Sequence, residues 1–537
     1  MTQHQIVLFV VLPMAGGIAT MFLHRFHMAQ RWVGAGFLLL NIYFACMALA
    51  TVVPTGSILV SQMGNWPAPF GITIAVDTLS ALMLTVGSIV CFCVFLYCVC
   101  QFDRDQQGGF FHPMFHMLML GVQWSFITGD FFNLFVAFEI MLMASYAIFC
   151  IGTSKAQMKQ AYKYVLLNLL GSTMFVTCLG LIYGQLGTLN MADITRIAMA
   201  DQLPKTSIPI LVMMVLVFGG KTAIFPLWYW LPDTYHTLPS AIGGLFAGLL
   251  TKVGAYVMIR VFVMMLGTSQ AITEIVAPFL LVTAGITMFL GVLGAVSMHT
   301  VRRILSIHII SQVGYMLMGM GLAITIGVKP EIKELAVAGA IFFILHNMVV
   351  KCCLFLCSGL MIEHAGDDDL GKIGGLLKRA PWLATLFMIA ALSLAGLPPL
   401  SGFFGKWVLL SAGFRSEHYI VVSIAVLTSL FTLLSMLKIW SYGFWSPAQG
   451  KHVDKPQILP RTVGGTWAIA LLVLMSLSMG FGAQKYYSMC ATAAKSLIDP
   501  SAYVRAVLGE RNTPKRVLNN PVSHKTHVQS APEKISH

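Results

Sequence analysis

Long apolar stretches separated by short polar loops recur along almost the whole chain. Each is about 20 residues or longer, the length at which a helix crosses a hydrocarbon core roughly 30 Å thick. They are too long and too uniformly apolar to be the alternating strands of a membrane barrel. The pattern predicts an all-α polytopic membrane protein with about fourteen spans, at residues 4–23, 32–54, 77–101, 110–129, 131–152, 162–186, 207–231, 239–262, 272–297, 302–327, 335–363, 382–410, 420–445 and 465–487.

Composition agrees with lipid as the main solvent. Of 537 residues, 57% are hydrophobic and 10% are charged, whereas soluble proteins carry about 25% charged residues. The first residues lack a basic leader and a small-residue cleavage motif, so we expect them to form the first span rather than a cleaved signal peptide. The net charge of +13 does not indicate nucleic-acid binding, because the basic residues lie in loops and near helix ends.

The 11 cysteines predict neither a disulfide framework nor a metal site. The densest group, CFCVFLYCVC at 91–100, lies inside an apolar helix without a nearby histidine or carboxylate. Metal-binding cysteines have other spacings, and buried cysteine commonly serves as a small hydrophobic residue. We therefore expect no metal and no cofactor.

Basic residues in alternate loops predict the orientation, because cytoplasmic loops carry the excess of Lys and Arg. One set of loops is richer and is assigned to the cytoplasm, which places both termini outside. The polar, basic end of the chain argues the other way but is less informative than short loops, and we expect residues 491–537 to form a poorly ordered tail. The richer set carries Arg25, Arg31, Arg104, Lys155, Lys159, Lys163, Arg302, Arg303, Lys372, Lys378, Arg379, Lys451, Lys455 and Arg461.

Five ionisable residues lie inside predicted spans, where each costs roughly 3 kcal/mol on insertion scales. A single such residue is explained by a side chain that reaches the interface, but five are not. A buried lysine changes its proton affinity readily, whereas arginine stays protonated, and a lone carboxylate is a natural counter-ion. The set indicates proton handling and consists of Glu139, Lys221, Lys252, Lys351 and Lys406.

Two histidines are candidate relays within the same spans. His308 and His346 titrate near neutral pH, although a satisfied core histidine is an equally good interpretation of each. On an ideal helix, His346 and Lys351 point about 140° apart. His112 and His116 lie near the end of a span, and we interpret them as mainly interfacial.

Prolines predict breaks beside two of the lysines. Pro226 follows Lys221 by five residues, and Pro398 and Pro399 precede Lys406. Proline removes a backbone hydrogen bond, and the freed carbonyls need water or polar side chains within a membrane. Two broken helices five spans apart, each with a lysine, are typical of inverted repeats in transporters.

At these residues the chain resembles the antiporter-like subunits shared by respiratory complex I, membrane-bound hydrogenases and Mrp-type Na⁺/H⁺ antiporters. The resemblance covers about 70–445 and is clearest in FGGKTAIFPLWYWLPDTYHTLPSAIGGLFAGLLTKVGAYVMIR. MGNWPAPFGITIAVDTLSALML is similar to the D-type subunits of the Mrp antiporters. The resemblance implies a Glu139–Lys221 pair and a hydrated line that continues through Lys252, Lys351 and Lys406.

The resemblance also implies an organisation of the chain. Three spans occupy 1–105, a first inverted five-helix repeat 106–265, a second repeat 266–445, and the last span 446–490. Spans 7 and 12 are the broken ones. Partners would be the other membrane proteins of an Mrp-type antiporter, similar to its A-, B-, C-, E-, F- and G-type subunits, together with lipid.

The function predicted from these features is proton translocation within a multisubunit Na⁺/H⁺ antiporter. Sodium prefers several oxygen ligands, and lysines repel it, so we expect Na⁺ to pass through another subunit. A proton-pumping subunit of a complex I-type or hydrogenase redox enzyme is the alternative, and a scaffold without transport is a second. The sequence contains no nucleophile elbow, P-loop or metal-ligand cluster, so we predict that the chain is not itself an enzyme.

Overall fold

The computed structural model describes residues 1–102, 110–151, 154–204, 207–447 and 460–509, and within them the chain is almost entirely helical. Arg104, Lys451, Lys455 and residues 510–537 of the predicted tail lie outside the described residues. The α-helices are α1 (Leu8–Phe22), α2 (His27–Thr55), α3 (Thr78–Gln101), α4 (Phe111–Ile127), α5 (Phe131–Phe149), α6 (Lys155–Leu186), α7 (Met191–Met199), α8 (Ser207–Thr222), α9 (Trp230–Tyr235), α10 (Ser240–Leu245), α11 (Thr251–Met258), α12 (Gln270–Ser297), α13 (Val301–Ile324), α14 (Pro330–Ala365), α15 (Leu376–Arg379), α16 (Pro381–Ala395), α17 (Ser401–Arg415), α18 (Tyr419–Trp440), α19 (Pro460–Phe481), α20 (Ala483–Ile498) and α21 (Ser501–Leu508).

Other elements are short. Three π-helical segments, Phe246–Leu250, Ile259–Met265 and Ser441–Trp445, continue α10, α11 and α18. An antiparallel hairpin of β1 (Leu59–Gln62) and β2 (Thr73–Val76) pairs Leu59 with Val76 and Gln62 with Thr73. The hairpin precedes α3, whose first turn is capped by the Asp77 carboxylate.

Twelve helices within the described residues are long and apolar enough to cross a membrane. They confirm an all-α membrane fold, and the number fourteen stays a prediction. The two predicted spans outside this set are α4, which has 17 residues, and the pair α16 and α17, which have 15 residues each. Both predicted spans are missing from the set because their helices are too short: α4 is a short helix, and a break divides the other span into α16 and α17.

The two predicted breaks are present. α8 ends at Thr222, and the chain turns through Ala223, whose φ of 64° is left-handed, before Pro226 and a short 3₁₀ turn lead into α9. α16 ends at Ala395, Gly396 adopts a φ of 90°, and α17 begins at Ser401 after Pro398 and Pro399. Each break interrupts an otherwise apolar helix.

Helix α14 is the centre of the molecule. It packs against α3, α10, α13, α16, α17, α19 and α20. The most apolar 18-residue stretches of α13, of α14 and of the helical run Ser240–Met265 are completely buried inside the protein. Helices such as α2 and α6 instead expose large apolar side chains, including Trp32 and Leu170, as expected of a lipid-facing surface. Charged residues on the central helices are therefore enclosed by protein.

The prediction for the end of the chain was wrong over residues 491–508. There, α20 and α21 are folded helices rather than a poorly ordered tail, and the last predicted span is divided near Gly482. In α20, Cys490, Ala494 and Leu497 are buried against the protein while Lys495 is exposed. This amphipathic spacing lowers the average hydropathy, which is why the segment resembled a polar tail.

Candidate functional site

Lys221 and Glu139 lie beside the first break. Lys221 is the penultimate residue of α8, and its Nζ atom lies 4.7 Å from the centroid of the Phe138 ring. Glu139 is within electrostatic range of the ammonium group. Neither Lys221 Nζ nor Glu139 Oε1, both buried atoms, has a hydrogen-bond partner among the described residues. The two charges are near each other, and their contact is not a direct hydrogen bond through those atoms.

Backbone groups freed by this break bond elsewhere. The Phe225 amide donates to Thr287 Oγ1 at 3.1 Å, and the indole of Trp230 donates to the Gly220 carbonyl at 2.9 Å. The break therefore leaves the Lys221 ammonium beside an aromatic face and a carboxylate. No carbonyl among the described residues accepts a hydrogen bond from the Lys221 ammonium.

Lys252 is completely buried on α11. Its Nζ donates to the carbonyl of Ala247 at 2.7 Å and to Thr251 Oγ1 at 3.1 Å. Ala247 belongs to the π-helical segment Phe246–Leu250, and such wide turns commonly occur at functional sites. The local widening of the helix thus coincides with the carbonyl that holds the ammonium group.

Lys351 occupies the middle of α14 and is also completely buried. Its Nζ has no hydrogen-bond partner in the part of the chain that the structure describes. Lys252 and Lys406 both lie within electrostatic range of this ammonium group. Lys252, Lys351 and Lys406 form a lysine row, in which Lys351 is coupled electrostatically to both other members.

Lys406 is held at the second break. Its Nζ donates to the Leu394 carbonyl at 3.1 Å, to the Ala395 carbonyl at 2.8 Å and to Ser429 Oγ at 2.9 Å. Leu394 and Ala395 are the last residues of α16, whose terminal carbonyls lack helical partners and carry partial negative charge. The break after Ala395 thus creates a binding place for one ammonium group, and Tyr315 covers it, with its ring centroid 5.2 Å from Nζ.

Both predicted relay histidines are fully buried. His308 shares hydrogen bonds with Ser435 through Nε2 and with Ser311 through Nδ1, and it lies within electrostatic range of Lys351 and Lys406. His346 lies within electrostatic range of Lys252, Lys351 and Lys406. The structure therefore brings both histidines to the lysine row.

A serine cluster that the sequence analysis missed contacts His346. Its Nδ1 shares a 2.8 Å hydrogen bond with Ser401 Oγ. Ser401 also lies 3.0 Å from both Ser393 and Ser476, and the last two are 3.2 Å apart. These hydroxyls join α16, α17 and α19 around the second break. Serines in apolar helices have no recognisable spacing, so no sequence signal distinguished them.

A buried ion pair was also missed. Arg260 Nη1 and Nη2 donate to the two Asp77 oxygens at 2.6 and 2.5 Å, and both side chains are 5% exposed. Arg260 also donates to Ser80 Oγ and to the Tyr256 hydroxyl, and its guanidinium lies 5.8 Å from the Tyr503 ring centroid. An arginine at the end of an apolar run and an aspartate at a helix start were its only sequence signals.

The prediction that His112 and His116 are interfacial was wrong. Their exposed fractions are 1% and 0%, because α1, α2 and α3 surround this part of α4. At the polar end of α6, Lys155 and Lys159 are exposed as the sequence suggests. Lys163, in contrast, forms a 2.9 Å ion pair with Asp233.

Comparison with known proteins decides the family. The family described as "NADH:quinone oxidoreductase/Mrp antiporter, TM" matches residues 128–432, which include all five interior charges. The chain belongs to this family. The D-type Na⁺/H⁺ antiporter subunit of Alkalihalophilus pseudofirmus is 39% identical over 514 residues, which cover 94% of this chain and 99% of the relative. The Bacillus subtilis protein of the same type is 34% identical over 507 residues, with the same shares covered.

Solved structures agree with the fold. A chain of the Mrp complex from Dietzia sp. DQ12-45-1b superposes with a TM-score of 0.84 and 29% identity, over 95% of this chain and 100% of that chain. A chain of respiratory complex I from Thermus thermophilus gives a TM-score of 0.75 at 22% identity, over 92% and 99%, a likeness of fold alone. This chain is a multi-pass membrane protein of that family, and the two D-type relatives are antiporter subunits.

Proposed function

We propose that this chain is the proton-translocating subunit of a multisubunit Na⁺/H⁺ antiporter in the bacterial cell membrane. It would be the D-type component, since it is 39% identical to a relative of that type along nearly the full length of both chains. Its partners would be the other membrane proteins of the complex, similar to A-, B-, C-, E-, F- and G-type subunits. The transported species within this chain would be the proton.

The observation that carries the proposal is the row of buried lysines. Lys351 lies within electrostatic range of both Lys252 and Lys406, so adding or removing a proton at one ammonium changes the energy of the next. A scaffold without transport activity would gain nothing from interior charges that each cost roughly 3 kcal/mol. The row is instead suited to passing charge between sites.

The lysines alternate in how they are held. Among the described residues, the Nζ atoms of Lys221 and Lys351 have no hydrogen-bond partner. The Nζ atom of Lys252 donates to two acceptors, and that of Lys406 donates to three. Carbonyl and hydroxyl acceptors stabilise an ammonium group, whereas a buried amine without them depends on water. We infer that protons move between strongly and weakly held sites, with water bridging the gaps.

Glu139 would control the first site. It is the one carboxylate within electrostatic range of Lys221 among the interactions described. A neighbouring carboxylate favours the ammonium form of a lysine, so movement or neutralisation of Glu139 would release a proton from Lys221. His308 and His346 would relay protons farther along the row, where both lie in range of Lys351 and Lys406.

Sodium would take another route through the complex. It needs several oxygen ligands, and the described interior of this chain presents four lysines and one carboxylate as its proton-translocation candidates. We further propose that both termini face the outside, from the excess of basic residues in alternate loops. Residues 106–265 and 266–445 would be inverted repeats, a proposal supported by one broken, lysine-bearing span in each.

A redox-driven proton pump is the competing function. The fold likeness to complex I, at a TM-score of 0.75, fits either function. The higher identity to antiporter proteins favours the antiporter. Adjacent genes would separate the two, because a redox complex needs proteins with cysteine-ligated clusters.

The proposal is tested in everted vesicles that contain the complete complex, with a ΔpH-sensitive dye and added Na⁺. Glu139→Gln and Lys221→Met should each lower the exchange rate at least about tenfold, which corresponds to a barrier increase of about 1.4 kcal/mol. Glu274→Gln and Lys159→Met are matched controls at exposed positions and should exchange like the wild type. Wild-type exchange by either interior variant, in vesicles that contain normal amounts of complex, contradicts the proposal.

A further inference from the structure

Two buried histidines on α4 lie outside the lysine row. His112 and His116 are one helical turn apart, about 6 Å along the axis, and their exposed fractions are 1% and 0%. His112 Nδ1 and both ring nitrogens of His116 have no hydrogen-bond partner among the described residues. Each buried polar group left without a partner costs about 1–3 kcal/mol. A pair of imidazoles held at this cost calls for a reason beyond packing.

Neighbouring helices are shaped around the His116 ring. A Cβ atom at Gly16 of α1 would lie 2.8 Å from His116 Nδ1, and one at Gly34 of α2 would lie 3.3 Å from Nε2. Phe95 of α3 packs against both imidazoles, with ring centroids 5.3 Å from His112 and 6.3 Å from His116. Glycines on two separate helices therefore let the backbone approach both ring nitrogens closely, where a larger residue would clash with the imidazole.

The outer end of this pair approaches the surface. His27, the first residue of α2, is exposed, and it lies within electrostatic range of His112. Arg31, one turn farther along α2, is in range as well. This end of α2 belongs to the basic loops assigned to the cytoplasm. His27, His112 and His116 thus form a series of imidazoles that leads from that surface into the protein.

The inner end approaches the lysine row. Gln123 lies seven residues after His116 and therefore on the same face of α4, about 10 Å farther along. Its Nε2 donates to Ser88 Oγ of α3 at 3.0 Å, while its Oε1 is buried with no partner among the described residues. Next to Ser88, a Cβ at Gly87 would lie 3.6 Å from Met348 and 3.7 Å from Leu249. Those residues are each three positions from a lysine of the row, Lys351 and Lys252 respectively.

We propose that His112 and His116 form a second proton branch, which leads from the cytoplasmic start of α2 to the Gln123–Ser88 pair and from there to the lysine row. Each imidazole accepts a proton on one nitrogen and releases one from the other, so that no bond other than N–H changes. Water would have to carry the proton between these residues, which are spaced about 6 and 10 Å along the helix axis, because no hydrogen bond among the described residues joins them. Metal binding is not favoured, because the described residues contain no cluster of three or more His, Cys, Asp or Glu. The proposal rests on the proposed proton-translocating function.

The test uses the complete complex in everted vesicles and compares His112→Leu, His116→Leu and His116→Ala with Met119→Leu, a buried control on the same helix. The Met119→Leu substitution keeps the side-chain volume nearly constant and should leave transport unchanged. The histidine variants should assemble normally and exchange protons at least about threefold more slowly, since a proton-transfer group is lost while the lysine row remains. Added imidazole should restore His116→Ala, because the vacated space admits the free base.

Four outcomes would overturn this branch. Wild-type rates in both His→Leu variants, with Glu139→Gln inactive in parallel, would refute the branch and leave the proposed function standing. Loss of the assembled complex, or slow exchange that imidazole does not restore in His116→Ala, would show that the histidines are structural. If Glu139→Gln is itself fully active, the proposed function fails, and the branch fails with it.

Discussion

Neutralising Asp77 is expected to destabilise the chain far more than neutralising a surface carboxylate. Asp77→Asn keeps an oxygen that caps α3, where Asp77 accepts a hydrogen bond from the Ser80 amide at 2.9 Å, and it removes the negative charge beside Arg260. The guanidinium is then left buried without its counter-ion. The ion pair links the start of α3 to the end of the helix that carries Lys252. Loss of the pair is therefore expected to loosen that helix as well.

The magnitude follows from the burial of the pair. Both side chains are 5% exposed, and breaking a buried ion pair by removing one partner costs about 3–5 kcal/mol. Arg260 keeps its hydrogen bonds to Ser80 and Tyr256, which places the expected loss near the lower limit, about 3 kcal/mol. The exposed pair of Asp367 and Lys372, with side chains 37% and 65% exposed, supplies the control. Asp367→Asn should cost less than about 1 kcal/mol.

The full-length chain can be unfolded in mixed micelles with increasing SDS, and the fluorescence of its 10 tryptophans reports the transition. A double variant, Asp77→Asn with Arg260→Met, should regain much of the stability lost in the single variant, because no buried charge remains unpaired. The reasoning is refuted if Asp77→Asn is no less stable than Asp367→Asn, or if the double variant is as unstable as the sum of both single ones.

Two further predictions concern the second break and the last helices. Lys406→Met should lower Na⁺-driven proton exchange in vesicles at least about tenfold, and Ser429→Ala should lower it less, because two carbonyls still hold the ammonium group; equal loss in both variants would contradict this ranking. Ala494→Leu, which adds volume at a completely buried position of α20, should destabilise the chain by about 1–3 kcal/mol in the same unfolding assay. Lys495→Ala, on the exposed side of that helix, should stay within about 0.5 kcal/mol of the wild type.

Most of the fold could be predicted from the sequence because lipid imposes a simple rule. A helix that crosses a membrane must be long and apolar, and that property is visible in a single segment without knowledge of its neighbours. The same rule fails where a helix is covered by protein. α20 is amphipathic and packs its small residues against the protein, so average hydropathy assigned its second half to a polar tail. Likewise, His112 and His116 near a helix end indicated an interface, whereas three other helices enclose them.

The charged residues of the candidate site could be predicted from the sequence, but their partners could not. A lysine inside an apolar span is conspicuous at any position, so Lys252 and Lys351 needed no alignment to be noticed. The groups that hold such residues are backbone carbonyls and serine hydroxyls from other helices, and these are present everywhere in the sequence. Ser429 and Ser401 became meaningful only when the fold placed them beside Lys406 and His346.

The two helix breaks show the consequence of this limit. The sequence does not distinguish the two breaks, because each places a proline near a lysine. At the second break, the last carbonyls of α16 bind the Lys406 ammonium directly. At the first, Trp230 takes the Gly220 carbonyl, and the Lys221 ammonium faces an aromatic ring and lies in range of Glu139. A lysine bound by fixed carbonyls keeps its surroundings, whereas one governed by a carboxylate responds when that carboxylate moves or gains a proton. Under the proposed function, the first break would therefore be the place where Glu139 controls proton transfer, and the second would be the place where a proton is stored.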